Sequence, residues 1–379
     1  MWQSLHDAWW RLATQHRPQS FKGILASSAL QAGAAVYGSA VAARNAAYDW
    51  GWTKPVRLPC GVVSVGNLTI GGTGNTASVE LIASKLLALG WRVAILSRGY
   101  GGSSQPYWLR WRNGGLLVDG AVEAKSHRLA DEPQLLARRL PGTPVVVGAR
   151  RDRSGALACE TLGADIAILD DGFQHRRVAR DCDIVLVHAG MPFGGWPLLP
   201  RGPMREPLAA LRRAHVIIAT KADEALSTLG ALLEQLRTFN PGADLLTASH
   251  EPTELIDGAT GEPQPLARLA GARVGLLSSI GDPAGFEATV IRLQASVAWH
   301  RTFPDHHPYR EEDWTRIAER ARESLPTALV TTEKDWVRLS RLMSHVSCLT
   351  VPLWVLGVRM NILDGEALLD ARLAGVRAR

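Results

Sequence analysis

Short apolar runs alternate along the chain with longer segments of helical periodicity. The runs cover residues 62–65, 93–96, 145–147, 166–169, 184–187 and 216–218. After the first of them, residues 76–89 repeat apolar side chains at the spacing of an amphipathic helix and stop at Gly90. The alternation predicts an α/β fold, with a mostly parallel sheet and helices on both faces.

A second set of elements follows. Apolar runs at residues 274–277, 328–330 and 353–356 alternate with helical segments such as residues 311–324. They predict a second, smaller α/β domain. The expected domains are therefore an amino-terminal helical segment at residues 1–50, a larger domain at residues 51–222 and a smaller one at residues 223–379.

The amino-terminal segment is apolar but rich in small residues. Residues 23–43 contain no charge, between Lys22 and Arg44, and are dominated by Ala, Gly and Ser. Tryptophans upstream of this run lie beside Arg11 and Arg17, a pattern that suits the lipid–water boundary. We expect a hydrophobic helix that associates with a membrane. Whether it spans or lies on the bilayer stays open, and a core helix of a soluble domain is the alternative.

Net charge and cysteine spacing indicate the class of partner and the cellular compartment. The 379 residues carry a net charge of +6, which suits nucleic acid, an acidic membrane or a phosphorylated substrate. The scattered spacing of the four cysteines predicts a reducing compartment and no disulfide framework.

A glycine-rich loop follows the first apolar run and precedes the first amphipathic helix. It reads Gly66-Asn67-Leu68-Thr69-Ile70-Gly71-Gly72-Thr73-Gly74-Asn75-Thr76. Glycines let successive N–H groups converge on phosphate oxygens, and the helix directs its positive dipole end at the same anion. The layout predicts a P-loop in which Thr76 contacts Mg²⁺. The lysine that normally precedes this threonine is replaced by Asn75.

Three acidic or basic groups could complete such a site. Asp170-Asp171 ends an apolar run, where a carboxylate can hold Mg²⁺ or merely form a polar turn. Asp131-Glu132 precedes a helical segment, so these acids could simply cap a helix. Residues 303–309 hold two histidines in a proline-bounded loop, where metal ligation, acid–base chemistry and phosphate contact are all open.

Together these motifs resemble the tetraacyldisaccharide 4'-kinase family over residues 59–358. The likeness rests on the segments 64–74, 97–101, 131–133, 170–175, 200–207, 303–307 and 332–335. The resemblance implies a membrane-associated kinase with two α/β domains. Such an enzyme uses Mg-ATP to phosphorylate the 4'-hydroxyl of an acylated glucosamine disaccharide 1-phosphate, forming lipid IVA in lipid A biosynthesis. It would act on the cytoplasmic face of the inner membrane of a Gram-negative-type cell, without a nucleic-acid partner.

The resemblance also implies roles for individual residues. ATP would contact Thr69, Gly71, Gly72, Thr73, Gly74, Asn75 and Thr76. Mg²⁺ would be held by Thr76, Glu132, Asp170 and Asp171. Asp131 would take the proton of the sugar hydroxyl, paired with His306 from the smaller domain, and Gln174 would lie beside them. Phosphoryl transfer needs mainly alignment and charge neutralisation, which suits this set.

The departure from the family pattern is local. Where the family reads Gly-Lys-Thr-Pro, this chain reads Gly74-Asn75-Thr76-Ala77, and a cation is lost. We expect a penalty of about 3 kcal/mol, or a hundredfold in rate, unless Arg98 or Arg150 substitutes for it. A degenerate relative that binds nucleotide or lipid is therefore the alternative. A membrane-recruited ATPase switch ranks last, because Asp131 and His306 would have no purpose in it.

Overall fold

The computed structural model describes most of the chain as two compact units. It describes residues 21–70, 73–99, 107–112, 115–120, 130–191, 193, 197–305, 307–342 and 349–377. The first unit comprises Met1–Arg128, Leu136–Ser249 and Asn361–Arg379, and the second comprises Leu129–Leu135 and His250–Met360. The domain bounds expected from the sequence stay a prediction.

The regular elements are short helices and mostly short strands. The helices are α1 (Phe21–Asp49), α2 (Asn75–Ala88), α3 (Asp131–Arg139), α4 (Arg151–Ala156), α5 (Leu226–Phe239), α6 (Pro283–Arg292), α7 (Glu311–Ser324), α8 (Glu333–Leu339) and α9 (Glu366–Ala374). The strands are β1 (Gly61–Asn67), β2 (Val93–Ser97), β3 (Tyr107–Arg112), β4 (Gly115–Gly120), β5 (Val145–Val147), β6 (Ile166–Asp170), β7 (Cys182–His188), β8 (Val216–Thr220), β9 (Asp244–Asp257), β10 (Pro263–Gln264), β11 (Arg273–Ser278), β12 (Ser296–Thr302), β13 (Ala328–Thr332) and β14 (Leu353–Asp364).

The sheet of the first unit is parallel except at one edge. Its strands are ordered β9, β8, β7, β1, β6, β2, β5, β3 and β4. All neighbours from β9 to β5 are parallel, whereas β3 pairs antiparallel with β5 and β4. Strands β1, β2, β5 and β6 are buried along their length, as parallel strands covered on both faces must be. The predicted mostly parallel sheet is confirmed.

The sheet of the second unit is covered on both faces. Its strands are ordered β12, β11, β13, β14 and β9, and β12, β11, β13 and β14 are parallel. Successive residues of a strand point to opposite faces. Accordingly Leu276 packs with Val290 of α6 in one apolar cluster, while Leu277 packs with Ile317 of α7 in another. This arrangement is the smaller α/β unit that the sequence predicts.

The periodicity of apolar residues correctly predicted two amphipathic helices. The helix expected at residues 311–324 is α7, and the helix expected at residues 76–89 is α2. The sequence analysis missed the antiparallel pair β3 and β4, the long strand β9, the two-residue strand β10 and the edge strand β12. The apolar alternation of β9 is lost after residue 250, where its side chains are partly exposed.

Helix α1 packs against the proline-rich loop at residues 197–207. The Tyr37 hydroxyl donates a hydrogen bond to the Arg205 carbonyl at 3.0 Å. A Cβ atom added at Gly38 would lie 2.9 Å from Leu198, so a small residue lets the helix approach the loop. The apolar run at residues 23–43 is thus helical, as expected. The tryptophan-rich segment upstream lies outside the described residues.

No helix in the described part of the chain is both long and apolar enough to cross a bilayer.

A buried carboxylate anchors the same loop. Glu206 is fully buried and receives hydrogen bonds from Asn45 at 2.7 Å and from Arg213 at 3.0 and 3.2 Å. Arg44 of α1 forms a further ion pair with it at 3.3 Å. Three side chains therefore compensate the cost of burying one charge.

The cysteines correct one expectation. Cys60 and Cys159 are joined by a disulfide, with Cα atoms 6.2 Å apart. Their separation of 99 positions hid this pair from an analysis of spacing. Cys60 immediately precedes β1, and the helical turn at Leu157–Thr161 brings Cys159 into the same apolar cluster.

The Glu206 cluster yields a stability prediction. Replacing Glu206→Leu should lower the unfolding free energy by about 3–5 kcal/mol, because Arg213 would keep a buried charge without its carboxylate. Urea denaturation followed by circular dichroism measures this change. The matched control is Glu234→Gln, which removes an exposed ion pair with Arg237 and should change stability by less than about 0.5 kcal/mol. Equal effects of the two variants would contradict the prediction.

Candidate functional site

The glycine-rich loop joins β1 to α2 at the carboxyl edge of the first unit's sheet. β1 ends at Asn67, and α2 begins at Asn75 directly after Gly74. Gly74 has φ +86°, a conformation that glycine adopts without steric cost. Gly71 and Gly72 lie outside the described residues. The unpaired N–H groups at the start of α2 suit an anion.

Hydrogen bonds from two strands hold this loop. Asn67 is fully buried, and its side-chain amide donates to the Thr73 hydroxyl. From β8, the Thr220 hydroxyl donates to the Thr73 carbonyl at 3.2 Å. Gln174 donates to the Asn67 carbonyl at 2.8 Å. The backbone around Thr73 is therefore fixed without any contribution from a ligand.

Asn75 lies in the first turn of α2 beside Thr76. Within the described residues its side-chain oxygen is buried and has no hydrogen-bond partner. Of the two arginines expected to replace the missing lysine, Arg150 pairs with Asp152 at 2.6 and 3.0 Å. Arg98 is exposed at the end of β2. Compensation by Arg98 or Arg150 stays a prediction.

The two aspartates after β6 have different environments. Asp170 pairs in register with Val65 of β1, is 8% exposed and accepts a hydrogen bond from the Ser97 hydroxyl at 2.9 Å. Asp171 has φ +51° and both its oxygens lie 2.7 Å from Arg205 Nη1. Aspartate is one of the few residues other than glycine that adopt this conformation readily.

The turn at Asp171 approaches β1 closely. A Cβ atom at Gly66 would lie 2.8 Å from the Phe173 nitrogen, and one at Gly172 would lie 2.9 Å from the Ser64 hydroxyl oxygen of β1. Glycine is required at both positions by this contact. It brings the aspartates beside the strand that leads into the glycine loop.

A buried arginine supports this turn from behind. Arg151 is 3% exposed and donates to the carbonyls of Gly148 at 2.6 Å and Asp170 at 3.3 Å. Burial lowers the pKa of Arg151 to about 10, although Asp170 and Asp171 oppose that change. Burial, with Arg151 and Arg180 nearby, lowers the pKa of His175 to about 4. His175 is therefore neutral near pH 7.

The donor chemistry of this edge fits magnesium. Asp170 and Thr76 offer oxygen ligands at the ends of neighbouring elements, and Mg²⁺ commonly takes one or two carboxylates together with water and phosphate. In the described part of the chain, no group of three or more His, Cys, Asp or Glu side chains could hold a metal.

The second unit places other motif residues together. Lys334 lies 3.1 Å from Glu132 and 3.1 Å from Asp305. Burial opposes protonation, but Glu132 and Asp305 raise the pKa of Lys334 above its ordinary value. Asp131 faces Arg338 at 3.5 Å and Arg341 at 3.6 Å. Segments distant in sequence thus converge around Asp131 and Glu132.

The histidine pair is only partly described. His306 lies outside the described residues. His307 Nε2 lies 2.9 Å from Asp313 Oδ2, and its ring stacks on Phe303 at 4.6 Å between centroids. The role of His306 therefore stays a prediction.

A fully buried carboxylate organises the helix that carries these cations. Asp335 is 0% exposed and accepts hydrogen bonds from Ser279, Tyr309, Thr332 and Arg338, the last at 2.8 Å. Burial, reinforced by Asp335, raises the pKa of Tyr309 far above its usual range. The network fixes the start of α8 and the orientation of Arg338.

Several of these residues received no role from the sequence. Asn67, Ser97, Arg151, Arg338 and Arg341 act as partners of motif residues rather than as members of a spacing pattern. A polar residue at the end of a buried strand, as at Asn67 and Ser97, is the one signal that could have indicated two of them.

Comparisons with known proteins agree with these motifs. The sequence matches the family described as tetraacyldisaccharide-1-P 4'-kinase over residues 26–376. A tetraacyldisaccharide 4'-kinase of Anaeromyxobacter dehalogenans is 42% identical over 370 residues, or 98% of this chain and 94% of the relative. One of Syntrophus aciditrophicus is 40% identical over 333 residues, or 86% of this chain and 87% of the relative. A crystal structure of LpxK from Aquifex aeolicus in complex with ATP is 30% identical, with a TM-score of 0.68 over 92% of this chain and 98% of that chain.

The buried imidazole predicts an acid-dependent loss of stability. His175 has an ordinary pKa of 6.5 when unfolded and about 4 when folded. Between pH 6.5 and about pH 4 the unfolded chain takes up this proton and the folded protein does not, so the free energy of unfolding falls. Below about pH 4 both states are protonated, and this group lowers the free energy of unfolding no further. Allowing for solvent screening of a partly exposed ring, the loss should be about 2 kcal/mol.

Urea denaturation at about pH 7 and about pH 4, carried out on the wild-type protein and on a His175→Gln variant, measures this loss. The difference between the two proteins isolates the imidazole from other titrating groups. Parallel pH profiles would contradict the assignment.

Proposed function

The chain belongs to the tetraacyldisaccharide-1-P 4'-kinase family, and we propose that it transfers the γ-phosphate of ATP to the 4'-hydroxyl of tetraacyldisaccharide 1-phosphate. The product would be lipid IVA, an intermediate of lipid A biosynthesis. The family match across residues 26–376 is the observation that carries this conclusion. The glycine loop and the aspartate turn supply the chemistry that the activity needs.

ATP binding is assigned to the first unit. The loop from Thr69 to Thr76 would hold the phosphates with backbone N–H groups, and the dipole of α2 would favour their negative charge. The hydrogen bonds that fix Thr73 support this role, because donors held in place before binding cost no reorganisation.

Magnesium would be held by Thr76 and Asp170, with Asp171 and Glu132 as the further ligands that the family resemblance implies. The ion would neutralise charge on the phosphates. Ser97 orients the Asp170 carboxylate, and Arg205 holds the Asp171 carboxylate. These two partners support different tasks for the neighbouring aspartates, because a neutral hydroxyl contacts the Asp170 carboxylate and a guanidinium contacts that of Asp171.

Asp131 is the proposed proton acceptor, with His306 as its partner. The acceptor hydroxyl gives its proton to Asp131 as its oxygen attacks the γ-phosphorus. The new bond joins that oxygen to phosphorus, and the bond to the bridging oxygen breaks, so ADP leaves with the electron pair. Gln174, which bonds the Asn67 carbonyl, would orient the glycine loop for this step.

The acylated acceptor implies a lipid surface. Helix α1 exposes Leu25 and Val36, and Trp50 and Trp52 beyond it are 67% and 76% exposed. Amphipathic rings of this kind favour the interface between lipid and water. We therefore assign peripheral association with the cytoplasmic face of the inner membrane.

A transfer assay with γ-labelled ATP, Mg²⁺ and acylated disaccharide 1-phosphate tests the proposal. Wild-type protein should label the acceptor and should fail to label a 4'-deoxy analogue. Asp131→Asn should lower kcat by about a hundredfold or more with little change in KM, because the proton acceptor is lost. Glu319→Gln, at an exposed carboxyl of α7, is the matched control and should leave turnover intact. Folded wild-type protein without turnover would refute the function.

The alternative function is that of a degenerate relative that binds nucleotide or lipid, and a substitution at position 75 tests it. Asn75→Lys restores the cation of the usual P-loop. If other groups already neutralise the phosphoryl charge, kcat should change by less than about tenfold. A gain of about a hundredfold would instead identify a site crippled by its asparagine. The dissociation constant of ATP, measured by equilibrium dialysis, separates an effect on binding from one on transfer.

A further inference from the structure

Three cations share one face of α8 and the turn that follows it. Lys334, Arg338 and Arg341 are spaced at i, i+4 and i+7, which brings side chains to the same side of a helix. All three face carboxylates of the second unit, but they differ in how many of their hydrogen-bond donors have an acceptor.

Lys334 is engaged by two carboxylates. Its ammonium lies 3.1 Å from both Glu132 and Asp305. The ammonium group of Lys334 is therefore engaged by two carboxylates.

Arg338 has donors to spare. Its Nη2 donates to Asp335 Oδ1 at 2.8 Å and to the Ser279 carbonyl at 3.3 Å, and its side chain is only 6% exposed. Among the described residues, its Nε and Nη1 atoms have no hydrogen-bond acceptor. Buried donors without acceptors cost about 1–3 kcal/mol each and are uncommon in folded proteins. Such a group, held in place on one side, is suited to an anionic ligand on the other.

The arginines lie beside the proposed proton acceptor. Arg338 Nε is 3.5 Å from Asp131 Oδ2, and Arg341 Nη2 is 3.6 Å from Asp131 Oδ1. Both distances exceed those of charge-assisted hydrogen bonds, which are about 2.7–2.9 Å. The guanidinium groups therefore add positive charge around Asp131 without closing a bidentate pair on it.

We propose that Arg338 and Arg341 neutralise the phosphoryl group that is transferred beside Asp131. The inference rests on the proposed function, in which Asp131 accepts the proton of the attacking hydroxyl. That hydroxyl oxygen lies within hydrogen-bond reach of Asp131, and the phosphoryl group becomes bonded to the same oxygen. The transferred group must therefore come close to the two guanidinium groups.

The surroundings of Arg338 suit this task. Asp335, buried and held by Ser279 and Thr332, fixes one side of the guanidinium before substrate arrives. A preorganised donor aimed at developing charge is the largest single source of rate enhancement in many enzymes. Arginine is charged at every relevant pH and matches the geometry of phosphate oxygens.

Substitutions at both arginines test the proposal in the same transfer assay. Arg338→Gln should lower kcat by about a hundredfold and Arg341→Gln by about tenfold, with the KM of ATP and of acceptor little changed. Arg338→Lys should lose less than Arg338→Gln, because it keeps the charge and gives up the planar fork. Arg320→Gln, in an exposed ion pair on α7 with a side chain 59% exposed, is the matched control and should retain full activity.

A double variant separates charge supply from structural support. If Arg338 supplies charge to the phosphoryl group, Asn75→Lys, which adds a cation to the proposed phosphate-binding loop, should recover about tenfold of the kcat lost in Arg338→Gln. A purely structural defect would not respond to a lysine in the glycine loop. Wild-type kcat in Arg338→Gln, or a loss that Asn75→Lys leaves untouched, would overturn the inference.

Folding of the variants is followed by thermal denaturation. Should Arg338→Gln fail to fold because Asp335 loses its partner, Arg338→Lys and the more exposed Arg341→Gln decide the question. Full kcat in folded Arg341→Gln and Arg338→Lys would then overturn the inference. Failure of the proposed function is distinguishable, since it would show as absence of turnover in the wild-type protein.

Discussion

The backbone contact between β1 and the turn after β6 is the constraint on which the rest of the first unit depends. Gly66 and Gly172 leave no room for a Cβ atom, because the Phe173 nitrogen and the Ser64 hydroxyl oxygen lie 2.8 and 2.9 Å from the positions such atoms would take. Because β1 and β6 are also paired in register, this contact sets Asp170 beside the strand that enters the glycine loop. A single methyl group at either glycine would push the aspartate turn away from the strand that leads into the glycine loop.

The two acidic pairs of the protein are held by opposite means. Asp170 accepts a hydrogen bond from the neutral Ser97 hydroxyl. Asp131 and Glu132 instead face Arg338, Arg341 and Lys334. One carboxylate environment suits a metal, whereas the other suits proton transfer next to an anionic group. Side chains of the same type acquire different chemistry from the partners that the fold supplies.

The asparagine in the glycine loop shows why charge has to be counted over a whole site. Position 75 alone indicates a weakened kinase, since a cation near the phosphates is missing. Neutralisation of a transferring phosphoryl group depends on the summed field of nearby groups and not on which element carries them.

The sequence by itself determined most strands of the parallel sheets, α2 and α7, and the position of the glycine loop. Those features follow from local periodicity and from glycine, which act over a few residues. It also indicated Asp131, Glu132, Asp170 and Asp171 as motif residues. Only the tertiary structure decided their partners: Ser97 on Asp170, Arg205 on Asp171, and the arginines of α8 and its following turn on Asp131. It also decided the Cys60–Cys159 pair. Such contacts join residues tens to hundreds of positions apart, and no local pattern of side chains encodes which distant segment the packing of a sheet will bring alongside.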